Sequence, residues 1–185
     1  MPATRSRRGH APYWITEDLA IGPCRGAGGP SVDSLVEAGF KHVIDLNADD
    51  SERSLARRAG ITYHPVKTID EYGLRAWLKN VQGVVDIIER AARKKEKVYL
   101  HCTYGRGRSA TASMAYLVSK GWTVQAAIQS VKDRGDLVWG RGNPVAKYRT
   151  ILRAYSRIDR RAPGDTDSAR RPSLAPLRPK QGGLA

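Results

Sequence analysis

Apolar and polar positions along this chain follow two rhythms, which predict strands and helices in turn. The clearest is helical. Leu74, Trp77, Leu78, Val81, Val84, Val85 and Ile88 recur at three- and four-residue intervals and predict a helix over 74–92. Short apolar runs predict strands at 13–15 and 19–21, around the turn Thr16-Glu17-Asp18, and again at 40–46, 61–66 and 97–100. Pro65 weakens the end of the 61–66 run, because it has no backbone donor. Gly22 to Pro30 is rich in glycine and proline and predicts a loop. Ser31 and Ser51 predict caps for short helices that end at Ala38 and Ala59, each followed by glycine. An apolar, small-residue helix over 109–120 closes at Gly121, and another over 124–134 starts behind Thr123. Asn143 and Pro144 introduce a last helix over 145–158. Strands alternating with helices predict an α/β fold with a largely parallel sheet, its functional groups at the carboxyl ends of the strands.

Composition sets the limits of the domain. The 185 residues suffice for one domain plus tails. Residues 1–12 are basic and polar, and residues 159–185 are rich in Pro, Arg and Gly, so both ends are expected to be disordered around a folded 13–158. The net charge of +14 calls for an anionic partner, whether nucleic acid, anionic lipid or phosphorylated substrate, or else for a solvated basic surface. Two separated cysteines, Cys24 and Cys102, do not form a disulfide framework and suit a reducing compartment. With no apolar leader and no run near the ~20 residues of a membrane span, the expectation is a cytoplasmic monomer without a membrane segment.

The chemistry concentrates in Val98-Tyr99-Leu100-His101-Cys102-Thr103-Tyr104-Gly105-Arg106-Gly107-Arg108-Ser109. This reads as a buried strand, a glycine-bearing loop and the start of a helix. Successive loop amides and a helix N-terminus together make an anion cradle, here spanning Thr103, Tyr104, Gly105, Arg106 and Gly107. Glycines let an oxyanion approach the backbone, and Arg108 can grip two of its oxygens with a planar fork. The same field favours a thiolate at Cys102. A thiolate nucleophile within an anion cradle outlines a phosphoryl-transfer site.

His101-Cys102-x5-Arg108-Ser109 resembles the H-C-x5-R-[S/T] signature of the cysteine-dependent protein tyrosine phosphatases. The following Ala110-Thr111 is similar to their dual-specificity branch. The resemblance covers about residues 13–158 and implies that family's three-layer fold, with a central sheet between helices. The opening hairpin and the final helix, with Tyr148, Leu152 and Tyr155, are similar to family elements, whereas Asn143 lies about two residues early for the family's loop-bracing asparagine. The resemblance further implies that His101 orders the loop. It gives Ser109 the hydroxyl that stabilises the departing thiolate, although the same hydroxyl could simply cap the helix.

Such a reaction needs an acid that later serves as a base. Asp70 is the candidate. It lies in a loop between a strand and the long helix, 32 positions before Cys102, a spacing similar to the family's. Glu71 is its nearest rival; Asp49 and Asp50 are more distant ones, better read as loop or cap carboxylates. The implied activity is hydrolysis of phosphate monoesters on phosphotyrosine, phosphoserine or phosphothreonine proteins through a phosphocysteine, with no cofactor and no metal. Alternatives are a phospholipid phosphatase acting on a phosphoinositide or phosphatidylglycerophosphate, an RNA 5′-triphosphatase, and a non-catalytic phosphate-binding module. Arg106 stands at a loop position that is basic in the lipid-phosphatase relatives, and Lys67, Arg134 and Arg141 are further cations that could lie near the rim.

Overall fold

The computed structural model describes residues 12–68, 74–132 and 145–159. The sequence-predicted tails, the acid loop with Asp70 and Glu71, and the segment holding Arg134, Arg141 and Asn143 lie outside the described residues.

Five strands form one sheet: β1 (Tyr13–Trp14), β2 (Leu19–Pro23), β3 (Phe40–Asp45), β4 (Thr62–Pro65) and β5 (Lys97–Cys102). Their order is β1-β2-β5-β3-β4, and all neighbours are parallel except the opening hairpin of β1 and β2. β5 is therefore central, and from Val98 to Cys102 every residue is buried. Pro23 lies opposite Cys102, and Asp45 pairs with both His101 and Pro65. The carboxyl ends of four strands thus meet along one edge.

Helices cover both faces. α1 (Val32–Glu37) and α2 (Arg53–Arg58) lie on one side, where Val32, Leu35 and Ala56 pack with Phe40, Val43, Ile61 and Tyr99. α3 (Leu74–Arg93), α4 (Arg108–Ser119), α5 (Val124–Lys132) and α6 (Val145–Asp159) join the larger cluster on the other side. The expected stripe on α3 is buried as Trp77, Val81, Val84, Val85 and Ile88. Each such side chain stabilises the fold by about 1.5–3 kcal/mol on burial. α4 is sheathed all round: every residue from Ser109 to Val118 is buried. Its alanines and hydroxyl residues keep it thin enough to fit, and Ser113 Oγ returns its hydrogen to Ala110 O at 2.8 Å. Leu152 and Tyr155 of α6 are buried against this layer.

Three local expectations need correction. β2 continues through Gly22 and Pro23 before a short 3-10 turn at Arg25–Ala27, so the expected loop begins later. The extension exists because β5 offers parallel partners to that point. Ser51 caps nothing; it hydrogen-bonds Asp49, and α2 starts behind Glu52. The 97–100 run extends by two residues, so that Cys102 closes the buried strand, in register with β2 and β3. Ser31 and Thr123 do cap as expected, accepting from the Ser34 and Ala126 amides at 3.1 Å each.

Away from the strand ends, His42 of β3 and His64 of β4 stack, with ring nitrogens hydrogen-bonded at 3.1 Å. His42 Nε2 also meets Glu96 Oε2 at 2.8 Å.

Candidate active site

Cys102 is the last residue of the central strand and is 4% exposed. The chain then crosses Thr103 to Gly107 and enters α4 at Arg108. Gly107 occupies the cap position and offers no side chain, so the positive end of α4 faces the thiol without a capping oxygen between. Ser109 lies inside the first turn, not at the cap, and its Oγ is 3.4 Å from Cys102 Sγ. Burial pushes the Cys102 thiol up, but the Ser109 hydroxyl and amide, the Arg108 charge and the Gly105 amide together hold it below the ordinary cysteine value.

Glycine is required where the loop touches the sheet. Gly105 has φ +71°, and a Cβ there would run into the backbone of Gly22. Gly22 is fixed in turn by Tyr99, whose hydroxyl donates to Pro23 O at 2.7 Å and fills the space a Gly22 Cβ would need. On the other side of this junction the Cys24 amide reaches Cys102 O at 2.9 Å and Thr103 O at 3.1 Å.

Arg108 is held from behind by four acceptors. Nη1 donates to Leu46 O at 3.1 Å and to Thr68 O at 3.2 Å. Nη2 donates to Asn47 Oδ1 at 2.8 Å and to Thr103 Oγ1 at 3.1 Å. Thr103 Oγ1 itself donates to Asn47 Oδ1 at 3.0 Å, so Asn47 joins the loop to the guanidinium. Thr68 is buried and donates its hydroxyl to Leu46 O at 2.9 Å, which fixes the start of the segment leading to Asp70.

A buried polar group underlies Cys102. His101 is 1% exposed, stacks on Tyr99, and neither ring nitrogen has a hydrogen-bond partner. Asp45 Oδ1 stands 3.6 Å from Nδ1 and Glu52 Oε2 stands 3.8 Å from Nε2. Burial depresses the imidazole's proton affinity, while Asp45 and Glu52 pull it back up. Asp45 is itself fixed by the Tyr63 hydroxyl at 2.6 Å and the Asn47 amide at 2.8 Å.

The structure thus brings Cys102, Thr103, Gly105, Gly107, Arg108, Ser109 and His101 together. Tyr104 is 68% exposed and Arg106 is exposed, so both project from the loop rather than line its floor. Lys67 is exposed, and its carbonyl accepts from Asn80 Nδ2 at 2.9 Å. Of the rival acids, Asp49 is held below the ordinary carboxylate range by the Ser51 hydroxyl and amide, and Asp50 is ion-paired with Arg53 at 3.0 Å. An acid so stabilised as carboxylate is a poor proton donor. Cys24 is free and half-buried, and burial holds its proton.

Sequence reasoning missed Asn47, Asp45 and Glu52. One signal was available: Asn47 follows a buried strand at the same sheet edge as Cys102, where polar groups tend to serve the site. No helix among the described residues is long and apolar enough to cross a membrane.

Three comparisons bear on this geometry. "Dual specificity protein phosphatase 1" of Arabidopsis thaliana is 43% identical over 129 residues, covering 69% of this chain and 62% of that protein. "Phosphatidylglycerophosphatase and protein-tyrosine phosphatase 1" of Mus musculus is 28% identical over 104 residues, covering 52% of this chain and 53% of that protein. The chain therefore spans about half the length of the curated relatives it matches. Among solved structures, a mouse putative dual specificity phosphatase complexed with zinc tungstate superposes with TM-score 0.66 at 21% identity, covering 85% of this chain and 92% of that one, and shares the fold. The sequence model of the dual specificity phosphatase catalytic domain matches residues 27–155, which span the sheet edge, the Cys102 loop and the helices behind it. The chain belongs to the dual specificity phosphatase catalytic-domain family.

Proposed function

We propose that this protein hydrolyses phosphate monoesters through a phosphocysteine formed on Cys102. The observation that carries the reading is a buried thiol with depressed pKa, 3.4 Å from the Ser109 hydroxyl, beside an Arg108 fixed by four acceptors. The Cys102 thiolate attacks phosphorus, and the bond to the leaving oxygen breaks. Asp70 gives that oxygen its proton; this role rests on its place in the sequence, since it lies outside the described residues. Arg108 and the amides of the Thr103–Gly107 loop hold the equatorial oxygens, where charge must be stabilised. Water, deprotonated by Asp70, then attacks the phosphocysteine, and the Ser109 hydroxyl stabilises the thiolate as it leaves. His101 supports the loop from beneath. Phosphotyrosine, phosphoserine and phosphothreonine proteins are the leading substrates.

The purified protein should cleave an aryl phosphate in the presence of a chelator, and Cys102→Ser should abolish turnover while still binding inorganic phosphate. Activity that disappears with chelation, or survives in Cys102→Ser, would refute the mechanism.

A phospholipid monophosphate is the second reading. It is favoured by Arg106, which is exposed and pairs with no acid among the described residues, and by the mouse relative's name. A panel of phosphopeptides, phosphoinositides and phosphatidylglycerophosphate, compared by kcat/KM, separates the two. The net charge of +14 supports contact of the basic flanks with an anionic membrane or RNA, and two free cysteines support a reducing location such as the cytoplasm.

A further inference from the structure

Glu52 stands at the start of α2 but makes no cap hydrogen bond for it. Its side chain turns inward instead, leaving the residue 8% exposed. Burying a carboxylate is costly unless its oxygens find donors. Here Oε1 accepts from the Arg25 amide at 3.1 Å, and Oε2 faces His101 Nε2 at 3.8 Å. Both partners adjoin the nucleophile. His101 directly precedes Cys102. Arg25 directly follows Cys24, whose amide bonds Cys102 O and Thr103 O. Glu52 therefore borders the end of β5 directly at His101 and indirectly through the turn at Arg25, although it lies 50 positions before Cys102 in the chain.

The ring between these groups has little freedom. Asp45 of β3 faces its Nδ1, Tyr99 of β5 stacks on it, Asp49 adds charge from the loop before α2, and Tyr63 of β4 reaches the group through Asp45. Asp45 and Glu52 stand 3.6 and 3.8 Å from its two nitrogens, beyond hydrogen-bond distance, so the ring is held between two carboxylates by packing and charge, and the bulk beside Nε2 helps decide how it sits.

We propose that Glu52 is a positioning residue for Cys102, seating the end of β5 by holding His101 on one side and the turn at Arg25 on the other. The kinetic consequence rests on the phosphatase reading; the chemical reactivity of Cys102 does not.

The test compares Glu52→Ala and Glu52→Gln in the full chain, by kcat and KM on an aryl phosphate and by the pH midpoint of Cys102 alkylation with iodoacetamide. Glutamine can still accept from the Arg25 amide and keeps the side-chain bulk beside His101 Nε2, so it should restore near-normal kcat and midpoint. Alanine supplies neither, and kcat should fall roughly 10–100-fold, as for a displaced catalytic group, with KM little changed and the midpoint moved up. A merely electrostatic Glu52 would behave differently: both substitutions remove the same charge and would move the midpoint down alike, which overturns the proposal. Unchanged kcat and midpoint in Glu52→Ala overturn it too. Arg25→Pro against Arg25→Ala is a second arm that leaves Glu52 in place. Proline fits the first position of a short helix and removes only the amide hydrogen. It should lower kcat and raise the midpoint relative to Arg25→Ala, and identical behaviour of the two would refute the grip on the turn. If the wild-type protein cleaves no phosphate ester, the phosphatase reading fails, while the alkylation midpoints still decide the role of Glu52.

Discussion

Replacing Asn47 by alanine is the sharpest probe of how Arg108 is aimed. Asn47 Oδ1 accepts from Arg108 Nη2 at 2.8 Å and from Thr103 Oγ1 at 3.0 Å, and alanine supplies no acceptor. Nη1 keeps its two backbone carbonyls and Nη2 keeps Thr103, so the guanidinium stays in place but loses one in-plane constraint. A hydrogen bond to a charged group contributes about 1.5–3 kcal/mol. If that is felt where the guanidinium must hold a trigonal phosphoryl group, kcat/KM falls by roughly 10–150-fold. The assay is steady-state hydrolysis of an aryl phosphate, with vanadate inhibition as a second measure and thermal unfolding as the control. Vanadate should weaken by a comparable factor, because it engages the same fork. Asn47→Asp keeps the acceptor but adds a negative charge beside the cradle, so it should raise the Cys102 pKa and lose rate mainly at low pH. An Asn47→Ala protein with full kcat/KM and unchanged vanadate affinity would show that the backbone carbonyls alone aim Arg108.

Three further outcomes are expected. Gly105→Ala should lose activity and stability together, by on the order of 1–3 kcal/mol from its positive φ and collision with Gly22; a variant with normal Tm and turnover would refute the contact. Asp70→Asn should lower kcat by roughly 10²–10⁴-fold, more for alkyl than for aryl phosphates; if Glu71→Gln does this instead, the acid is its neighbour. The third concerns pH and folding. Burial, then His42 and Arg90, lower the His64 pKa from 6.5 to about 4. As pH falls, the unfolded chain takes up this proton first. The stabilising contribution is therefore complete above about 6.5 and is lost progressively down to about 4. His64 is only half-buried, so the loss is about 1–2 kcal/mol after solvent screening. Denaturant unfolding at neutral and mildly acidic pH should show that slope in the wild-type protein and a shallower one in His64→Gln.

What the sequence revealed of this molecule follows from how local each signal is. The stripe on α3 needs only one helical repeat, and the Cys102–Arg108 loop needs only neighbouring residues, so both are legible. Asn47, Asp45 and Glu52 are not, because they reach Cys102 through parallel pairing across a long crossover. Their partners lie some fifty to sixty positions away. The misplaced cap has a similar origin. Ser51 has the better side chain for capping, but Asp49 captures its hydroxyl, and Glu52 is drawn inward by Arg25 and His101. Likewise Gly22-Pro23 reads as a turn in isolation and becomes strand because β5 lies beside it.

The central position of β5 also bears on how the chain is made. β2 and β3 do not pair with each other; β5 lies between them and hydrogen-bonds both. During vectorial synthesis the first four strands emerge without the member that unites them, so they can form only separate fragments with open edges. Sheet closure waits until the residues of β5 clear the ribosome, and the same event delivers Cys102. A nascent chain stalled before β5 would be both incomplete and prone to pairing with other chains along those edges. The strand that unites the sheet is thus the last strand made, and the sheet is completed only with the segment that ends on Cys102, ahead of Arg108 and Ser109 in α4.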